Sequence, residues 1–354
     1  IKRNAPSLST TTTHATTHVT VAVIMRTKNR LLLLHRALSS VLFQTHTAWH
    51  LYLVNDGGNQ PELERTLALY RPLFGTRLSV LHHSTSQGME AASNAALAHV
   101  TEAFFAIHDD DDAWHPDFLK HSVAFLTNPE NTRFLAVTTG SVVVHEEIKN
   151  DIVHELSREE WCVNRETIDF TKLLYANLFP PISLLMRTSL LQSIGTFNAA
   201  LPVLGDWDYN IRIMQQGDIG YIKDYLAFYH RRSAGIHSVY SNTITNQADQ
   251  HTLYNTLIRN QKLRESLRTS PQLLGLAQGL IFSMQHHNTP LYNGLASTSQ
   301  QLQSIETALH HINNRLASIE LTCMWVHKLL RPLYTVWHLA LPARRLVAKL
   351  RGRA

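Results

Sequence analysis

From Val19 to about Thr139, short apolar and β-branched runs alternate with stretches of helical spacing. Residues 21–25, 51–54, 78–81 and 104–107 read as buried strands. Residues 31–43, 62–70 and 89–99 carry apolar positions at steps of three and four and read as helices. Strands alternating with helices of this length predict βαβ units and a parallel sheet. In such sheets ligands bind beyond the carboxyl ends of the strands. Three polar clusters fall at those ends: Arg26-Thr-Lys-Asn-Arg30, Asn55-Asp56-Gly57-Gly58 and His108-Asp-Asp-Asp-Asp112. That coincidence is the first functional signal.

Between residues 141 and 169 the pattern weakens and charge rises, which predicts a variable loop or excursion. Structure resumes at 173–178, breaks at Pro180-Pro181 and continues through 182–186. Gly205-Asp206-Trp207-Asp208 opens a helix that runs through Met214, and residues 219–222 and 226–229 read as closing strands. Residues 243–285 are helical with short breaks. Leu302, Ile305, Leu309, Ile312, Leu316, Ile319, Cys323 and Val326 then alternate steps of three and four. That heptad predicts a coiled coil, and Leu at a with Ile at d leans toward a trimer or tetramer. An amphipathic helix lying on its own domain is the competing reading. The resulting division is 1–18 Ser/Thr-rich linker or chain edge, 19–240 catalytic domain, 241–298 helical extension, 299–326 oligomerisation helix and 327–354 tail.

Composition narrows the function classes. The 354 residues are 44% hydrophobic and 17% charged, which excludes a disordered chain. A net charge of +5 points to a polyanionic partner. Two cysteines, Cys162 and Cys323, exclude a disulfide framework and suit a reducing compartment. Neither a membrane span nor a signal peptide is expected. Beyond Glu320 there is no acidic residue, and Lys328, Arg331, Arg344, Arg345, Lys349, Arg351 and Arg353 are interleaved with Trp325, Trp337 and several leucines. A tail of this kind suits an anionic membrane surface, and the Trp and Leu positions favour lipid over nucleic acid. The expected location is the inner face of the cytoplasmic membrane.

A run of four aspartates is often a solvated face. Here it follows an apolar strand directly and precedes Ala113-Trp-His-Pro116. Carboxylates gathered there need a cation, and hard oxygen ligands suit Mg²⁺ or Mn²⁺ that also takes substrate phosphates. No P-loop, G-x-G-x-x-G or G-x-S-x-G is present, which disfavours kinases, dehydrogenases and α/β-hydrolases. His14/His18 and His46/His50 lack an H-e-x-x-H context and read as surface histidines. Trp114, Trp161 and Trp207 read equally as sugar-stacking platforms or as core.

The ordered set of motifs resembles the family 2 glycosyltransferases over residues 19–232. The segment 21–30 is similar to that family's opening strand and nucleotide loop, 37–45 to the helix that follows, and 53–58 to the second strand and its acidic turn. Residues 88–96 resemble the helix near the diphosphate, and 108–119 the D-x-D segment. Residues 194–198 followed by 205–212 resemble the acceptor-side helix. The resemblance implies a GT-A fold: an α/β, mostly parallel mixed sheet flanked by helices, with the helical C-terminal region appended. It implies a nucleotide-diphosphate sugar as donor. Asp109 and Asp111 become the D-x-D pair, with Asp111 on the metal and Asp109 on the metal or ribose; a shift of one residue stays open, with Asp110 and Asp112 as helpers. Asp56 becomes the acceptor for the nucleobase, with Thr27, Arg30 and Asn94 also at the donor.

Asp206 corresponds to the base that takes the proton of the incoming hydroxyl, and Asp208 is the fallback. Read without the resemblance, Asp206 is an N-cap, which needs the same residue type in the same place. Arg26 stands where the family often has Pro, and Ser93 where it often has Arg, so Arg26 partly replaces a diphosphate contact. The Gln-x-x-Arg-Trp signature of processive synthases is absent, and Tyr229-His230-Arg231-Arg232 stands near its place, closing over the diphosphate. The expectation is an inverting, metal-dependent, non-processive transferase acting on a glycan or lipid-linked acceptor of a surface polysaccharide. A sugar nucleotidyltransferase and a non-catalytic scaffold are the alternatives.

Overall fold

The computed structural model describes residues 19–161, 167–232, 240, 248–280, 282, 297–317, 319–321, 324, 326–328 and 331. Segment 1–18, both cysteines and most of the basic tail lie outside the described residues. The chain divides into two units, Ile1–Lys262 and Leu263–Ala354.

Four parallel strands form one half of the first unit's sheet: β1 (Val21–Thr27), β2 (Trp49–Asp56), β3 (Leu78–His83) and β4 (Phe104–Asp109), in the order β3-β2-β1-β4. Helices α1 (Leu31–Leu42), α2 (Gln60–Phe74) and α3 (Met89–Leu97) make the crossovers. Residues 21–25 of β1 are wholly buried, because helices cover both faces, so the strand reads as an unbroken apolar run. Each such aliphatic side chain contributes about 1.5–3 kcal/mol of burial.

Beyond β4 the sheet becomes mixed. The short strand β5 (Ala113–Trp114) follows the aspartate run, and α4 (Phe118–Thr127) leads into β6 (Phe134–Lys149). Strand β7 (Ile152–Trp161) returns along β6, α5 (Phe170–Tyr175) follows, and β8 (Leu184–Arg187) lies antiparallel between β4 and β6. After the short α6 (Leu190–Ser193), α7 (Gly205–Met214) carries the Asp206 motif, and β9 (Asp218–Arg232) runs parallel to β6.

Two departures from the sequence reading have physical causes. The expected loop at 141–169 is largely a β-hairpin, in which Lys149 pairs with Ile152 across Asn150 and Asp151, both left-handed at φ 52° and 59°. Two consecutive left-handed residues make the tight turn that matches strand twist, and Asn and Asp tolerate it. In addition, helix Ala248–Thr269 packs its buried Ile258 with Trp207 and Leu173, so the first compact unit extends past residue 240 to Lys262.

In the second unit, residues 297–317 and 319–321 are helical. Leu302, Ile305, Leu309, Ile312, Leu316 and Ile319 are each more than half exposed along that helix. No helix among the described residues is long and apolar enough to cross a membrane.

Candidate active site

The carboxyl ends of β1, β2 and β4 meet where the three polar clusters were expected. The turn after β2 is held by Asn55, whose Nδ2 donates to Gly58 O (3.1 Å) and whose Oδ1 accepts from Gly58 N (3.0 Å). A Cβ on Gly57, at φ 71°, would overlap the backbone of Thr85 and Ser86, so only glycine allows this approach. The Asp56 carboxylate accepts from His83 Nδ1 (2.9 Å), Ser86 Oγ (2.7 Å), Gln87 N (2.8 Å) and Gly88 N (3.0 Å). Burial opposes its charge, but these donors outweigh it and hold the carboxyl below its ordinary range. Asp56 thus pins the 86–88 segment as well as facing the cleft.

The four aspartates after β4 have four different surroundings. Asp109 is partly exposed and ion-paired with Arg26 of β1, whose Nη1 also donates to Ser93 Oγ of α3 (3.1 Å). Asp110 and Asp111 both face Arg30 Nη1, at 3.4 and 3.2 Å. Asp111 is also paired with the fully buried Arg232, and Arg36 donates to its main-chain oxygen. Glu146 of β6 completes this layer, accepting from Arg36 Nη1 (2.8 Å) and Arg232 Nη1 (2.5 Å). Burial works against the Asp111 charge, yet Arg232, Arg30 and Arg36 hold its carboxyl below the usual range. Burial pushes Asp110 up, against Arg30, and pushes Asp112 well up with Asp111 adding repulsion. Asp112 accepts from the backbone N–H of His230 (2.8 Å) and so ties the turn to β9.

A cleft of about 370 Å³ opens over these ends, lined by Thr27, Arg30, Asp56, Gly88, Asp109 and Asp110 among others. Thr27 Oγ1 and Asp110 Oδ2 are buried with no hydrogen-bond partner among the described residues. A second, tighter cavity of about 110 Å³ lies beside it, lined by Glu90, Leu184, Phe197, Asp206, Tyr229 and His251 among others. The two share Arg26, Met89 and Asp109. The Arg26–Asp109 ion pair therefore stands at their common wall.

Asp206 lies in the first turn of α7, but the N-cap is Leu204, held left-handed at φ 65° without a side-chain cap bond. The capping role is therefore not filled by Asp206. Its Oδ2 accepts from Asn177 Nδ2 (2.6 Å), and burial in the cavity pushes its carboxyl above the ordinary range. Asp208 instead pairs with Arg212 Nε (2.9 Å) and Lys262 Nζ (3.3 Å), away from both cavities. Asn94 clasps the backbone of one residue: Nδ2 donates to Phe197 O (2.8 Å) and Oδ1 accepts from Phe197 N (3.0 Å). His230 is buried and Arg231 lies beside it on β9, and neither lines either cavity, whereas Tyr229 does. Trp114 and Trp207 are core, their indole N–H groups donating to Ile182 O and Leu173 O, both at 2.6 Å. Trp161 sits edge-on to Tyr229.

Two cavity residues escaped the sequence reading. Glu90 is buried on α3, and burial pushes its carboxyl up to about 7, with Asp206 and Asp109 adding repulsion against Arg26. His251 of helix Ala248–Thr269 lines the tight cavity, with its Nε2 buried and without a partner among the described residues. A usable signal existed for Glu90, since it shares the buried face of α3 with Ser93 and Leu97 at i+3 and i+7.

Among the described residues no three His, Cys, Asp or Glu side chains gather about one point. Mg²⁺ and Mn²⁺ nevertheless fit the chemistry, because they take one or two carboxylates plus substrate phosphates. The Asp109 carboxylate and the unpartnered Asp110 oxygen supply hard donors at the cleft.

Residues 22–194 match the model of glycosyl transferase family 2. The PGL/p-HBAD biosynthesis glycosyltransferase of Mycobacterium tuberculosis is 27% identical over 192 residues, 54% of this chain and 68% of the relative. An uncharacterized glycosyltransferase of Rickettsia conorii is 25% identical over 203 residues, 57% of this chain and 32% of the relative. Among solved structures, S. aureus TarS 1-349 gives a TM-score of 0.46 at 19% identity, covering 60% of each chain. Mannosyltransferase PcManGT from Pyrobaculum calidifontis, in complex with GDP-Man and Mn²⁺, gives 0.46 at 18%, covering 75% of this chain and 80% of that one. The match spans the parallel strands and the acidic turn that build the cleft, and ends before Asp206: over this core, just under half of its length, the chain is similar to glycosyl transferase family 2.

Proposed function

We propose that the protein is an inverting, metal-dependent glycosyltransferase that moves a sugar from a nucleoside diphosphate to an acceptor hydroxyl. The observation that carries this reading is the shared wall of Arg26 and Asp109, with a nucleotide-sized cleft on one side and Asp206 on the other. Thr27, Arg30 and Asp56 line the nucleotide side. Asp109, with Asp110 or Asp111, holds Mn²⁺ or Mg²⁺, which when bound stabilises the negative charge of the leaving diphosphate. Arg26 adds a fixed positive charge there, delivered from β1 where Ser93 leaves room on α3. Asp206 takes the acceptor proton from the opposite face of the sugar, as one-step displacement requires. The tuned carboxyl supports that role, since a base working near neutral pH benefits from a raised affinity for protons.

Screening a panel of UDP-, GDP- and dTDP-sugars for thermal stabilisation tests the donor assignment. We expect one donor to stabilise the protein more with Mn²⁺ than without, and Asp109→Asn to remove the metal-dependent part. Stabilisation that is equal with and without metal counts against the metal assignment. Release of pyrophosphate in place of nucleoside diphosphate would identify a nucleotidyltransferase instead.

The acceptor side of the proposal is a surface glycan or a lipid-linked precursor, reached from the inner face of the cytoplasmic membrane through the basic tail. The exposed heptad stripe supports assembly with further copies of the chain, which multiplies weak membrane contacts. Leu309→Asp with Leu316→Asp should yield monomers by light scattering. An unchanged mass removes the coiled coil from the proposal.

A further inference from the structure

Glu90 is the buried acid for which the mechanism above has no use. It is only 6% exposed and lines the tight cavity with Arg26, Asp109 and Asp206. Among the described residues it takes part in no hydrogen bond and no ion pair within 4 Å, so none of them satisfies its oxygens directly. The space it occupies is specifically provided. Gly205, the first residue of α7, has no Cβ, and one built there would overlap the Glu90 carboxyl. A side chain at 205 would displace the group from the cavity. Leaving a carboxyl buried and unpaired costs several kcal/mol, a cost that needs a return in binding.

The path of a bound donor supplies the partner. With the nucleoside over Thr27 and Asp56 and the diphosphate at Arg26 and Asp109, the glycosyl unit extends past the shared wall into the tight cavity. Its lining is both polar, with Arg26, Glu90, Asp109 and Asp206 near one another, and apolar, with Ile107 and Leu184. A pyranose ring suits such a mixed lining, with hydroxyls around its rim and C–H groups on its faces. We propose that Glu90 is a specificity-determining residue of the donor site, its carboxyl group accepting hydrogen bonds from ring hydroxyls of the transferred sugar. The inference rests on the donor-site reading above and adds the substrate class: a sugar that keeps a free hydroxyl on the edge facing α3.

The test uses the full chain and the nucleoside-diphosphate hexose that supports turnover in the donor panel. Glu90→Ala should lower kcat/KM about 10–100-fold, the range of a charged hydrogen bond removed at a buried site. Affinity for the matching nucleoside diphosphate alone should be unchanged, because that part lies in the other cleft. The penalty should shrink at least fivefold for the one monodeoxy donor that lacks the contacted hydroxyl, and Glu90→Gln, which still accepts, should recover part of the activity. Removing a like charge from beside Asp109 and Asp206 should leave Tm equal or higher in Glu90→Gln. Equal penalties across all monodeoxy donors, or a parallel fall in nucleoside diphosphate affinity, overturn the assignment and make Glu90 structural. If the wild-type protein binds no panel donor, the donor-site reading itself fails first, an outcome separable from the Glu90 result.

Discussion

Asp206→Asn should retain donor binding and lose transfer, with kcat lower by about 10²–10⁴, the usual contribution of a positioned general base. The amide keeps the size of the carboxylate and a carbonyl oxygen for Asn177, so the cavity wall survives while the proton acceptor is gone. Single-turnover transfer and donor titration separate the two effects. A pH profile adds an independent readout. The carboxyl is pushed above its ordinary range, chiefly by burial. It is therefore active when deprotonated at higher pH, and kcat/KM should fall as pH drops through an apparent pKa above that of a free aspartate. The same limb should be missing from the residual rate of Asp206→Asn. Wild-type turnover in the variant would falsify the base assignment.

The second large effect concerns stability. Arg232 is fully buried and bridges Asp111 to Glu146. Arg232→Met fills much the same space but removes the charge that both carboxylates face. Asp111 keeps Arg30 and Arg36, and Glu146 keeps Arg36, so the layer is weakened without being emptied. Breaking a buried ionic group on one side typically costs about 3–5 kcal/mol. Urea unfolding should show a midpoint shift of that order at pH 7. The direction with pH is also set. Asp111 and Glu146 have their carboxyls held below the ordinary range, so the stability they contribute is present above the unfolded carboxylate pKa and lost as pH falls through the lowered folded value. The variant should accordingly lose part of the acid sensitivity of the wild type. A midpoint within error of wild type would show that the layer adds no net stability.

The parallel half of the sheet was legible because its strands are buried on both faces and so spell continuous apolar runs that end in polar turns. The hairpin at 134–161 was not, since its return strand is mostly exposed and carries no apolar alternation; its one signal was the Asn150-Asp151 pair at the turn. The cluster of aspartates could be located but not resolved into roles. Its partners arrive from far away in sequence, Arg232 standing 121 positions from Asp111. Spacing within the run therefore carries no information about which carboxylate is neutralised and which faces the cleft. Asp206 was ambiguous for another reason: a cap and a base need the same side chain, and only the left-handed backbone of Leu204 shows where the helix begins. The Asn94 motif resembled a donor contact, and its long-range bonds to the backbone of Phe197 could not be read from the spacing.

That last clasp has a mechanical consequence. One side chain on α3, beside the cleft, grips the backbone of Phe197, eight residues before the start of α7. Any displacement of α3 would therefore be passed to the stretch leading into α7 and Asp206. The walls that α3 and α7 give to the tight cavity are thus tied to each other through a single side chain.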